Sequence, residues 1–151
     1  MIMLEDIKEI AEEVLYKLDA YSDDALALVM RTGMAESGYR DLRQMNNGPA
    51  IGFWQVELDT AHDTLENFVN HRRRYKDVLI GLGLGNDLEF CLLSNIALQV
   101  AFCRLKYLRD PKPIPCWTDI DAQANYWKRV YNTNLGAGTI RHFLEANKDE
   151  I

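Results

Sequence analysis

Leu4, Ile7, Ile10, Val14, Leu15 and Leu18 recur at the spacing of one helix face, with Glu5, Asp6, Glu9, Glu12 and Glu13 between them. The pattern predicts an amphipathic helix over 3–20, its apolar stripe packed on a core. Ser22 and Asp23 can cap a second helix, from about Asp24 to Glu36, which carries Leu26, Leu28, Val29 and Met30. Gly33 lies near its end and Gly38 stops it. The helical pattern then lapses. Asn46-Asn47-Gly48-Pro49 is a turn signal, and Ile51, Phe53, Trp54 and Val56 favour extended structure. This stretch is too short for a sheet domain and reads as a loop or small hairpin. Helical spacing returns over about 60–80 and is broken at Gly81, Gly83 and Gly85. A long apolar helix is expected from Asp87 to about Arg109, ended by Pro111, Pro113 and Pro115, because proline lacks an amide donor and restricts its predecessor. Thr118 or Asp119 can cap another helix through Trp127 to Val130. Tyr131-Asn132-Thr133-Asn134 reads as a turn, and Gly138-Thr139 leads into a last helix ending near Asn147. The sum is an all-α single domain over 1–151 with one small irregular or β-hairpin segment.

Composition narrows the function classes. A chain of 151 residues can bury a sizeable core without metal or disulfide support, and 48% apolar with 26% charged residues argues against disorder. The net charge of −6 disfavours nucleic acid as a partner. The basic run His71-Arg72-Arg73-Arg74, with Lys76, reads as a solvated helix face; a helical nucleic-acid binder is the minor alternative. No apolar run reaches the roughly 18–20 residues of a membrane helix, so no membrane insertion is expected. The first residues lack the basic start and apolar stretch of a signal peptide. Cys91, Cys103 and Cys116 are odd in number and, with His62, His71 and His142, form no metal-ligand pattern. Structural thiols in a reducing cytoplasm, no metal and no cofactor are expected.

Glu36 carries the most pointed chemistry. It closes an apolar helix beside a segment rich in glycine and aromatics, with Tyr39, Phe53 and Trp54 close in sequence. A carboxyl withdrawn from water holds its proton more tightly and can donate it near neutral pH. A Glu at a helix end is, taken alone, usually just solvated.

Three motifs strengthen the case. Ala35-Glu36-Ser37-Gly38-Tyr39 resembles the Glu-Ser signature of soluble lytic transglycosylases and goose-type lysozymes. Ending 19 positions beyond Glu36, Gly48-Pro49-Ala50-Ile51-Gly52-Phe53-Trp54-Gln55 is similar to their Gly-Ala-x-Gly-Leu-Met-Gln motif. Tyr131-Asn132-Thr133-Asn134-Leu135-Gly136 resembles their Tyr-Asn-Ala-Gly segment, and Asn95-Ile96-Ala97 with Tyr107-Leu108 the helix before it. The fuller pattern looks like a bacteriophage-encoded branch of this lysozyme-like group, over roughly residues 25–145. Trp54 stands where Met is usual, Thr133 where a small residue is usual, and Asn134-Leu135 where Gly-Pro is common.

The resemblance implies a lysozyme-like helical domain that cleaves the glycan strand of bacterial peptidoglycan. Glu36 would be the general acid/base, and Tyr131 would bring its hydroxyl to the Glu36 carboxyl. Ser37, Gly52, Trp54, Gln55 and Asn132 would bind substrate. Trp54, Tyr126 and Trp127 are candidates for stacking on sugar rings, although at helical spacing the last two read more readily as core. Glu57, after Gln55-Val56, would be a second carboxylate, with Asp59 next; its other reading is an exposed helix cap. With two carboxyls about 6.5–9.5 Å apart the reaction is an inverting hydrolysis. With Glu36 alone it is a lytic transglycosylation, in which the muramyl 6-hydroxyl attacks the anomeric carbon. Such a protein would stay in the host cytoplasm until release or ride in the virion, with a holin or virion proteins as indirect partners. The competing reading is a non-catalytic lysozyme-like structural or binding module of a phage virion.

Overall fold

The computed structural model describes residues 2–44, 48–133 and 136–149. Asn46 and Asn47 of the expected turn, and Asn134 and Leu135 of the third motif, lie outside the described residues. Among the described residues the chain is mostly helical, with eight α-helices and one two-stranded antiparallel hairpin.

Helix α1 (Leu4–Lys17) buries Ile7, Ala11, Val14 and Leu15 and packs on α6 and α2. Helix α2 (Asp23–Ser37) starts at Ser22, whose hydroxyl accepts the Ala25 N–H at 2.9 Å, and ends at Gly38. The hairpin follows, β1 (Ala50–Ile51) against β2 (Val56–Glu57), with Ala50 opposite Glu57 and Ile51 opposite Val56. Next come α3 (Leu58–Asn67), a 3-10 turn at Val69–His71, and α4 (Arg73–Gly81).

The long helix expected from Asp87 to Arg109 is two helices, α5 (Leu88–Ser94) and α6 (Ile96–Leu108), which meet at 106°. Asn95 makes the break. Its amide oxygen accepts the Leu98 N–H at 3.0 Å and its amide nitrogen donates to the Leu82 carbonyl at 2.8 Å. A short polar side chain competes with the backbone in this way and caps a new helix instead of continuing the old one. No single helix among the described residues is long and apolar enough to cross a membrane. Helix α6 is apolar nearly all round and buried from Leu98 to Leu105, so it forms the centre of the core.

Asp119 caps α7 (Ile120–Tyr126), which runs into a π-helical segment at Trp127–Asn132. The Thr133 N–H reaches back five residues to the Lys128 carbonyl at 2.7 Å. Tyr131 and Asn132 therefore close a wide helical turn, where the sequence suggested a loop. Thr139 caps α8 (Ile140–Ala146), accepting the His142 N–H at 3.0 Å. Cys91 and Cys103 are buried and Cys116 is exposed. The 71–74 run is exposed and engaged locally: Arg72 lies 3.9 Å from the Phe68 ring centre, and Arg73 and Arg74 pair with Asp77 and Asp19.

Gly33 shapes the end of α2 by what it omits. A methyl group there would run into the ring and hydroxyl of Tyr39, which folds back to donate to the Met30 carbonyl at 2.6 Å. The Tyr39 ring in turn meets Phe53 and Trp54 edge-on, at 5.8 and 5.5 Å. Gly33→Ala is therefore expected to lower stability by about 1–3 kcal/mol through overpacking, although alanine is the better helix former. Urea unfolding checks this: in a Tyr39→Ala background the same change should turn neutral or stabilising, and an unchanged penalty there would show that Tyr39 is not the obstacle.

Candidate active site

A groove of about 1330 Å³ runs between the C-terminal end of α2, the hairpin, the π-helical segment and α8. Glu36, Ser37, Gln55, Glu57, Tyr131 and Asn132, six of the residues singled out by sequence, line it. Lys106, Trp127 and His142 line it with them.

The hairpin is bound to the helices through its tip. The Ser37 hydroxyl donates to the Phe53 carbonyl at 2.7 Å. The Phe53 N–H donates to the buried Gln99 amide oxygen at 2.9 Å. The Trp54 indole N–H donates to the Val29 carbonyl at 2.8 Å. The Tyr131 hydroxyl donates to the Trp54 carbonyl at 2.6 Å. These bonds, from α2, α6 and the π-helical segment, fix residues 52–55 against the wall of the groove.

They also correct three expectations. Trp54 is 0% exposed, so its ring is a core anchor and offers no platform to a sugar. An indole among apolar neighbours is worth more inside than out, and the Val29 carbonyl satisfies its N–H. Gly52 does not line the groove. It sits at φ +80°, where any Cβ would press on the Gln99 side chain and the Leu92 carbonyl, so its role is to let the hairpin turn over α6. Tyr131 lines the groove and senses the Glu36 charge, yet its hydroxyl donates to the Trp54 carbonyl and not to the Glu36 carboxyl.

The group that does reach Glu36 is Trp127. Its indole N–H donates to Glu36 Oε2 at 3.1 Å, and its ring is buried against Phe143, with centroids 5.2 Å apart. Tyr126 is buried too, stacked on Tyr107 at 5.6 Å, so neither aromatic presents a face for stacking on a sugar. The π-helical turn fixes Trp127 and Tyr131 together, one against the acid and one against the hairpin. Such turns are frequent at functional sites. The sequence drew attention to Tyr131 through its motif and to Trp127 only as an aromatic of double meaning.

Glu36 itself is half-buried, and its pKa is pushed from the ordinary 4.5 to about 7. Withdrawal from water is the main cause; the Trp127 N–H and the positive charges of Lys106 and His142 act the other way. His142 is fixed beside it by a 2.7 Å contact from Nε2 to the Ala35 carbonyl; since a carbonyl can only accept, Nε2 carries the proton. Gln55 holds a left-handed backbone, φ +50°, and folds its side chain onto the Gly52 carbonyl at 2.9 Å. Asn132 accepts from Lys128 at 2.7 Å. Glu57 is the N-cap residue of α3, but its side chain makes no capping bond, so the helix does not consume its carboxylate. It is exposed on the groove, while Asp59 is outside it on the first turn of α3.

The raised proton affinity of Glu36 has a measurable consequence for stability. Between about pH 4.5 and 7 the unfolded chain gives this proton up while the folded chain keeps it. The folded state therefore loses stability as pH rises through that window, by about 3 kcal/mol in total, and the loss is complete above it. Against Glu36→Gln, which has no such proton, wild-type protein should lose ground steadily across pH 4.5–7 in urea titrations. A stability gap independent of pH would mean that Glu36 titrates like an exposed glutamate.

Among the described residues no group of His, Cys, Asp and Glu is arranged to hold a metal ion. No family model matches the chain, and neither curated proteins nor solved structures yield a significant match.

Proposed function

We propose that the protein cleaves the glycan strand of bacterial peptidoglycan, with Glu36 as general acid/base, and that it belongs to a phage lysis or virion-entry system. The observation that carries this reading is the half-buried Glu36 on the wall of an open groove, its carboxyl oriented by the Trp127 N–H and its pKa pushed up to about 7 by burial. A β-1,4 linkage between aminosugars has a poor leaving group, which must be protonated as the bond breaks. Glu36 gives its proton to the glycosidic oxygen as the C1–O bond cleaves and the electron pair passes to that oxygen. In the transglycosylase route the resulting carboxylate takes the proton of the muramyl 6-hydroxyl while that oxygen bonds to C1, leaving a 1,6-anhydro end. Glu57 favours a second route. Its carboxylate lines the same groove and makes no hydrogen bond or ion pair among the described residues, so it is free to activate a water for hydrolysis.

The test is mass spectrometry of muropeptides released from purified sacculi of several wall chemotypes. Anhydromuramyl ends establish the first route and reducing ends the second. A folded wild-type protein that releases nothing from any of them would favour the non-catalytic module.

A further inference from the structure

Lys106 stands out on the wall of the groove. It is a half-buried cation on α6, set between the fully buried Leu105 and Tyr107. There Nζ donates to the Tyr131 carbonyl at 2.6 Å and sits 4.3 Å from the centre of the Tyr131 ring. One backbone acceptor and one aromatic face fix its position without neutralising it. It forms no salt bridge with any carboxylate among the described residues, although Glu36 and Glu57 both act on its charge.

Building on the proposed function, we infer that Lys106 is a positioning residue for Glu36: its ammonium, pinned to the Tyr131 carbonyl and ring, stabilises the carboxylate that forms when Glu36 hands its proton to the leaving oxygen. The Trp127 N–H supplies the directional half of this stabilisation and Lys106 the charge. The interaction is reciprocal. Burial pulls Lys106 below its ordinary value and the Glu36 carboxylate pulls it back up, just as Lys106 draws Glu36 down. The other charged or titratable groups facing the pair are Glu57 from β2, His142 and Glu145 from α8, Arg40, Asp41 and Arg43 after α2 (Arg43 paired with Glu89), and the buried Cys103 on α6 itself. Of these, only His142 shares with Lys106 the effect of lowering the Glu36 value. Partial burial disfavours the carboxylate, and a fixed ammonium offsets part of that cost as the charge forms.

The readout is the titration of the Glu36 carboxyl carbon by NMR, assigned by its absence in Glu36→Gln, in full-length protein. In Lys106→Met the midpoint should rise by about one unit, and Lys106→Arg should restore it. Lys106→Gln keeps a donor for the Tyr131 carbonyl and loses only the charge, so it should show the same rise even if the Met variant folds poorly. On sacculi, kcat should fall on the acid side of the profile while KM holds, and the alkaline limb should move up with the midpoint. An unmoved midpoint in folded Met and Gln variants overturns the inference. A midpoint that moves in a protein releasing no muropeptides overturns the catalytic reading and leaves the Lys106–Glu36 pairing standing.

Discussion

Glu36→Gln is expected to reduce muropeptide release by about 10³-fold or more, with the fold intact. The size follows from the chemistry: a glycosidic oxygen leaves only as it is protonated, and burial pushes the pKa of Glu36, on the groove wall, up to about 7, where it has a proton to give near neutral pH. The amide is nearly isosteric, and its oxygen can still accept the Trp127 N–H that meets Glu36 at 3.1 Å. Above pH 7 the variant should be more stable than wild type, because a buried carboxylate has been replaced by a neutral group. Loss of activity with equal or greater stability would assign a chemical role to the side chain. Release that survives the substitution would show that another acid, Glu57 first, does the work.

Much of this site was legible in the chain before its geometry. Ser22, Asp119 and Thr139 are capping residues that start α2, α7 and α8, and a capping side chain needs only its own neighbours. The glycine-proline turn and the short apolar run after it marked the hairpin. The motif spacing brought Glu36, Gln55 and Tyr131 to one groove. Features that depend on distant partners were not legible. Asn95 breaks the expected long helix because the Leu82 carbonyl lies within reach of its amide, a contact across 13 positions. The π-helical turn has no signature in a 3.6-residue period, so which of Trp127 and Tyr131 faces the acid could not be read. Lys106 did leave a trace, a cation inside a run that is otherwise apolar apart from Gln99 and Arg104, but a lysine in such a run is more simply read as an exposed position. Composition also said that Trp54 is aromatic and near the acid, and nothing about which way it points.

That last point sets up the largest expected loss of stability. Trp54→Ala should destabilise the protein by about 3–5 kcal/mol, lowering its melting temperature by about 10 °C. The indole is fully buried, meets Tyr39 and Phe53 edge-on, and donates to the Val29 carbonyl, so truncation opens a cavity and removes a buried hydrogen bond. Trp54→Phe should cost less, because most of the ring contact is kept and the Val29 carbonyl, inside α2, retains its helical partner; the lost hydrogen bond is worth about 1 kcal/mol. Activity should fall in both variants through the hairpin: the same residue's carbonyl receives the Tyr131 hydroxyl, and its neighbour Phe53 receives Ser37 and donates to Gln99. Loosening that tip moves Gln55 and the groove wall with it. A sugar-stacking tryptophan predicts the opposite pattern, a large rise in KM with little change in melting temperature. Thermal denaturation beside KM on solubilised glycan strands separates the two, and a melting temperature unmoved by Trp54→Ala would return the indole to the substrate face.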